Sequence, residues 1–131
     1  MTITVAIIAP GEMGSAIGSV LAAAGADVLT SLAGRSVASA GRARAAGLRA
    51  VSDAEIAEAD VVLSVVPPRG AWAVAERLAP ALTAGRSKPV YADCNAVSPQ
   101  TVWRIAEIIA PTGCRFVDGG IIGGPPAANN Y

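Results

Sequence analysis

The sequence predicts an α/β fold built on a doubly wound parallel sheet. Short apolar runs of strand length alternate with segments of helical periodicity, and glycines stand where those helices should end. The composition agrees. Hydrophobic residues make up 53% of the 131, much of it Ala and Val, and aromatics only 4%. Small side chains let helices lie close on a sheet, and a chain of this length builds one sizeable core.

Thr2 to Ala9 reads as a buried strand. Met13, Ala16, Ile17, Val20, Leu21 and Ala24 then fall on one helical stripe. Gly25 closes that helix, because glycine takes the left-handed cap conformation cheaply. Asp27 to Leu32 is a second strand, Ser36 to Ala46 a second helix closed by Gly47, and Leu48 to Val51 a short third strand. A short helix over Asp53 to Ala59 is capped by Ser52 or Asp53. Val61 to Val66 is apolar apart from Ser64, which marks a central strand covered on both faces. Pro67-Pro68 stops it. Ala71 to Leu82 is helical, and Pro89 to Asp93 is a fifth strand. Ser98-Pro99 opens a helix, since Ser caps and Pro fits the first helical position. Val102, Ile105, Ala106 and Ile109 form its apolar face, and Arg115 to Asp118 is a sixth strand. The alternation implies right-handed crossovers.

Several functions are disfavoured by composition. Lys+Arg and Asp+Glu number ten each, and no basic stripe exists to neutralise phosphates, so no nucleic-acid partner is expected. Arg42, Arg44 and Arg49 cluster loosely and read as a solvated helix face. The longest apolar runs are too short to span a bilayer, and the N-terminus lacks the pattern of a secretory signal. No membrane partner is expected, and the expected location is cytoplasmic. The chain has two cysteines and no histidine, so no metal site is expected. Cys94 and Cys114 read as reduced thiols.

The chemistry concentrates where strands end. The first strand runs into Ala9-Pro10-Gly11-Glu12-Met13-Gly14, followed at once by a helix. This is the dinucleotide-binding fingerprint of a Rossmann-type fold, with its first glycine replaced by Ala9. Gly11 lets the backbone approach a pyrophosphate, Gly14 lets the helix pack tightly on the strand, and the free N–H groups of the helix start hold phosphates. An acidic residue about 20 positions further on usually binds the ribose 2′-hydroxyl of NAD. The second strand instead ends in Leu32-Ala33-Gly34-Arg35-Ser36. Arg35 and Ser36 suit a 2′-phosphate, because a guanidinium forks onto phosphate oxygens. NADP is therefore the preferred cofactor, with NAD the alternative.

Val65, Val66 and Pro67 close the fourth strand and would pass under the nucleotide, although the two valines also suit the core. Asn95 offers an amide to a carboxamide or substrate oxygen, or stabilises its own turn. Gly123-Gly124 offers backbone N–H groups to a substrate anion, or forms a plain flexible loop. No catalytic residue is expected within this segment. There is no histidine, and the single lysine, Lys88, precedes the fifth strand at the end of the sheet opposite the strand tips.

Three ordered motifs carry a family resemblance: the glycine turn with Met13, Asp93-x-Asn95-x-x-Ser98-Pro99, and Asp118 through Gly124. Together they resemble the N-terminal domain of the β-hydroxyacid dehydrogenase family, which includes 6-phosphogluconate dehydrogenase. The resemblance covers essentially the whole chain. It implies a nicotinamide cofactor, a small carboxylate or phospho-sugar-acid substrate, and a second, all-helical domain through which a homodimer forms. Ile122 stands where the family's substrate motif usually has Ser or Thr. The family's catalytic lysine falls after this segment. Residues 1–118 are thus expected to form the dinucleotide-binding unit, and 119–131 to lead toward a second domain that the segment lacks. The leading reading is hydride transfer to or from a small hydroxyacid. The alternatives are a C=N reductase of the imine or pyrroline-5-carboxylate type, and a cofactor-binding module without chemistry.

Overall fold

The computed structural model describes residues 1–127. Residues 128–131, the last part of the Gly/Pro-rich end, lie outside the described residues. The strands are β1 (Thr4–Ile8), β2 (Asp27–Thr30), β3 (Arg49–Ala50), β4 (Val61–Ser64), β5 (Val90–Asp93) and β6 (Phe116–Asp118). The α-helices are α1 (Glu12–Ala23), α2 (Val37–Ala45), α3 (Asp53–Ile56), α4 (Ala71–Ala84) and α5 (Pro99–Ile109).

All strands run parallel in one six-stranded sheet of order β3-β2-β1-β4-β5-β6. The order reverses between β1 and β4, which is where such sheets open a crevice. The register aligns the tips there: Ile8 lies beside Ser64, Ser64 beside Asp93, and Asp93 beside Asp118.

Each face of the sheet has its own core. Val5, Ile7 and Val28 pack with Ala43 and Leu48, against Ile17 and Leu21. On the other face Ala6, Ile8, Leu29, Val62 and Tyr91 pack with Ile56, Leu78, Leu82, Ile105 and Ile109. The helix signals act as their chemistry dictates. Ser36, Ser52 and Ser98 accept the N–H groups of Ser39, Glu55 and Thr101 as N-caps. Gly25 and Gly47 follow α1 and α2 at φ of +103° and +84°, a conformation that costs glycine little.

Two expectations need correction. β4 ends at Ser64, and only Val62 and Ser64 are buried while Val61 and Leu63 are half-buried. One face of β4 is thus incompletely covered, because α1 contacts β1 and β2 and no helix follows β6 among the described residues. β3 is only Arg49–Ala50, both exposed. As an edge strand it pairs with β2 alone.

Lys88 sits just before β5, at the end of the sheet away from the aligned tips. Its Nζ donates to the carbonyl oxygens of Leu82, Thr83 and Thr112, each at 2.8 Å. An ammonium has three donors, and here each meets a carbonyl that the end of a helix leaves without a partner. Lys88→Met keeps the stem and removes the bonds. It should lower unfolding free energy by about 2–3 kcal/mol, measured by urea denaturation. A loss under about 0.5 kcal/mol, the level of an ordinary surface change, would show that the carbonyl cage contributes nothing.

Candidate cofactor site

The site begins where α1 meets β1. A Cβ on Gly14 would overlap the Ala9 carbonyl oxygen and come within 3.2 Å of Ile7 Cγ2. Only glycine permits this close approach of helix to strand. Gly18, one turn further, would press a Cβ to 2.6 Å from Leu48 Cδ1. Gly11 differs: a Cβ there would meet nothing within 4 Å. The space above Gly11 is open, so packing does not require a glycine at that position. Gly11 is the N-cap of α1 and no side chain caps that helix, unlike the serine-capped α2, α3 and α5. The first-turn N–H groups are left to a ligand.

A cleft of about 490 Å³ opens over this turn, lined by Ala9, Gly11, Glu12, Met13 and Gly14 on one side. Val65, Val66, Pro67 and Pro68 from the end of β4 form another wall, with Cys94, Asn95, Ala96 and Ile121 beyond. Arg35 also lines it. Its Nη2 donates to Ser39 Oγ at 3.1 Å. Ser36 is not among the lining residues; its hydroxyl is engaged as the α2 cap, at 3.2 Å from Ser39 N. Glu12 is the single acidic residue of the lining. The loop that carries Arg35 is fixed from behind. Arg77 of α4 donates to Ser31 Oγ at 2.6 Å and forms an ion pair with Asp53 at 2.7 Å.

Asn95 is held more tightly than an open ligand contact would be. It is 7% exposed. Its amide oxygen accepts Val66 N–H at 2.9 Å, and its amide nitrogen donates to Ser64 Oγ at 3.1 Å. Its own N–H donates to Asp93 Oδ1 at 2.9 Å. One side chain therefore joins the tips of β4 and β5, leaving one amide hydrogen for the cleft. Beneath it, Asp93 is fully buried, and its Oδ2 has no hydrogen-bond partner. Burial pushes the Asp93 carboxyl up, against the lowering effect of the bonds from Asn95. Tyr91, on the same face, is raised chiefly by burial. Its hydroxyl has no hydrogen-bond partner among the described residues.

Gly123 and Gly124 lie outside the cleft lining, whereas Ile121 reaches it. Ile122 is fully exposed. Cys94 faces the cleft, and burial raises its thiol first of all, with Asp93 adding to the effect. It is therefore a protonated thiol and no ready nucleophile. Pro68, Cys94, Ala96 and Ile121 line the cleft although the sequence does not mark them as site residues. For Cys94 and Ala96 the signal was there, since they flank Asn95. Ile121 sits in a coil with no periodicity to place it.

A reversed parallel sheet with an uncapped helix over a glycine turn defines a dinucleotide-binding Rossmann domain. The chain belongs to the family of the NAD-binding domain of 6-phosphogluconate dehydrogenase, whose model matches residues 4–130. It is 33% identical to a conserved protein of unknown function reported as structurally similar to 3-hydroxyacid dehydrogenases, with a TM-score of 0.82 over 93% of this chain and 45% of that one. A Mycobacterium tuberculosis 3-hydroxyisobutyrate dehydrogenase is 26% identical, with a TM-score of 0.77 over 95% of this chain and 42% of that one. The Myxococcus stipitatus imine reductase in complex with NADP+ shares the fold at 16% identity and a TM-score of 0.73, over 94% of this chain and 42% of that one. The chain thus spans less than half the length of these proteins. Comparison with curated protein sequences gives no match.

The open space at Gly11 and the blocked space at Gly14 separate binding from folding. Gly11→Val should cost no more than about 1 kcal/mol of stability yet weaken NADPH or NADH at least about 100-fold, a loss of roughly 2.7 kcal/mol. Gly14→Ala should cost more than about 2 kcal/mol of stability. Calorimetric titration and thermal melts of both variants check this. A Gly11→Val chain that stays folded and binds as before would remove the turn from the site.

Proposed function

We propose that this chain is the NADP(H)-binding part of an oxidoreductase that transfers a hydride to or from a small hydroxyacid-like substrate. The observation that carries the cofactor preference is Arg35. It stands in the cleft wall after β2, where an NAD site would hold a carboxylate, and its Nη2 donates to the neutral Ser39 hydroxyl. A bound nicotinamide would donate the hydride in its reduced form or accept it in its oxidised form. The chain's own residues hold and orient it: the glycine turn at the phosphates, Arg35 at the 2′-phosphate, and Val65 to Pro67 beneath the nucleotide. The substrate class rests on the family and on the hydroxyacid dehydrogenase among the similar structures. A C=N substrate is the second reading. Ile122 favours it, because an isoleucine gives a substrate carboxylate no hydroxyl.

Arg35→Ala should weaken NADPH by about ten- to a hundred-fold and leave NADH unchanged, since a charge-assisted bond contributes about 1.5–3 kcal/mol. Titration of wild type and variant with both cofactors decides it. Equal loss for the two, or none, would remove Arg35 as the discriminator.

The acid–base group belongs outside these residues in this reading. Lys88 is committed to three carbonyls at the far end of the sheet, and the Cys94 thiol is held protonated by burial. The purified chain should bind cofactor but show no steady turnover of hydroxyacids, ketoacids or cyclic imines. A rate on the order of 1 s⁻¹, ordinary for an enzyme, would place the missing group within this chain.

A further inference from the structure

The arginines of the chain sort by partner. Among the described residues, Arg49 pairs with Asp27 and Arg77 with Asp53. Arg42 has no carboxylate partner among the described residues. Its Nη1 crosses from α2 to donate to the carbonyl oxygen of Pro10 at 3.3 Å. Arg42 is exposed on α2, as the sequence reading has it, yet its guanidinium also reaches the turn before α1. Pro10 precedes Gly11, so its carbonyl belongs to the turn that faces the cleft. The same oxygen accepts a second bond, from the buried Ser15 Oγ of α1 at 3.0 Å. One carbonyl is therefore gripped from two helices, and the first turn of α1 lacks a side-chain cap.

We propose that Arg42 is a positioning residue for pyrophosphate binding, acting through the Pro10 carbonyl together with Ser15. The proposal rests on the cofactor reading above. Two physical effects support it. The orientation of the Pro10–Gly11 peptide determines where the following N–H groups point, and a carbonyl tied on the helix side cannot swing toward the cleft to oppose a phosphate. The guanidinium also places a positive charge beside a turn that carries Glu12, and a cation bonded to a neutral oxygen keeps its field for an incoming anion. Arg42 further connects the two halves of the nucleotide site. It lies one turn past Ser39 on α2, and Ser39 holds Arg35. The helix whose Ser39 holds Arg35 is thus tied to the turn at Gly11.

The test uses cofactor fragments on the full chain. ADP carries the pyrophosphate without the 2′-phosphate, and 2′-AMP carries the reverse. Arg42→Gln should weaken ADP, NADH and NADPH alike, by about ten-fold, and leave 2′-AMP unchanged. Arg42→Lys should recover most of the loss, because an ammonium can hold a carbonyl as Lys88 does here. Ser15→Ala should reproduce the ADP-selective loss. The double variant should lose less than the product of the two, since both groups act on one oxygen. Circular dichroism melts accompany each titration. Unchanged ADP affinity in Arg42→Gln overturns the proposal, and so does an equal loss of ADP and 2′-AMP, which would mark a general structural role. A wild-type chain that binds neither NADPH nor NADH removes the cofactor reading itself, and the proposal with it. Loss of 2′-AMP alone would move Arg42 to the 2′-phosphate and equally refute its action through the turn.

Discussion

The approach of α1 to β1 at Gly14 is the contact on which the rest of the site depends. With no Cβ in the way, the helix settles against the Ala9 carbonyl, and its N-terminus arrives directly beside the end of β4. That distance lets one cleft be walled by both the glycine turn and Val65 to Pro68. A larger residue would force the helix outward and separate the dipole end from the crevice at which the strand order reverses. Ala9 fits this arrangement in place of the usual first glycine. It is 7% exposed, and its N–H completes the link to Val65 O at 3.0 Å.

Around this contact, polar side chains hold the strand tips at specific places. Asn95 supplies an acceptor to Val66 N–H and a donor to Ser64. These are groups that would otherwise be buried without partners where β4 stops pairing, a cost of about 1–3 kcal/mol for each. Asp93 in turn orients Asn95, at the expense of a buried carboxylate with one unpartnered oxygen. Its raised carboxyl fixes the sign of its linkage to stability. Folding takes up a proton at Asp93, so its effect on stability is most favourable below the ordinary carboxylate range and is lost as pH rises through the raised folded value. A site that keeps such a group is organised for geometry more than for stability.

The architecture was legible in the sequence because strand-length apolar runs, helix periodicity, serine caps and closing glycines all point to the same layers. The glycine turn was legible for the same reason, since its context of strand, turn and helix is local. What was not legible depends on long-range approach. Nothing near Arg42 reveals that its guanidinium reaches Pro10, 32 positions away in the chain. Nothing near Asn95 reveals that its amide bridges to residues 29 and 31 positions earlier. Ser36 was ambiguous for a different reason. Ser at a strand-to-helix junction suits both a phosphate and an N-cap, and the local backbone satisfies the cap. The incomplete cover over β4 was missed because an apolar run records a preference for burial, not whether a neighbour exists to provide it.

The charge balance gains meaning from the same geometry. The formal sum is zero, which by itself argues only against a polyanion partner. The distribution is uneven. Carboxylates draw Arg49 and Arg77 into pairs that stitch β3 to β2 and α4 to α3. Lys88 is taken up by helix-end carbonyls at the opposite end of the sheet. Arg35 and Arg42 are both bonded to neutral oxygens, at the edge where α2 meets the glycine turn. A chain that needed these cations for stability alone would serve better by pairing them with acids, since an exposed bond to a neutral group contributes little. On neutral partners beside an uncapped helix N-terminus, the two add positive charge at one edge of the cleft. That is the electrostatic condition a polyphosphate ligand requires, and it arises from the placement of two arginines, not from net charge.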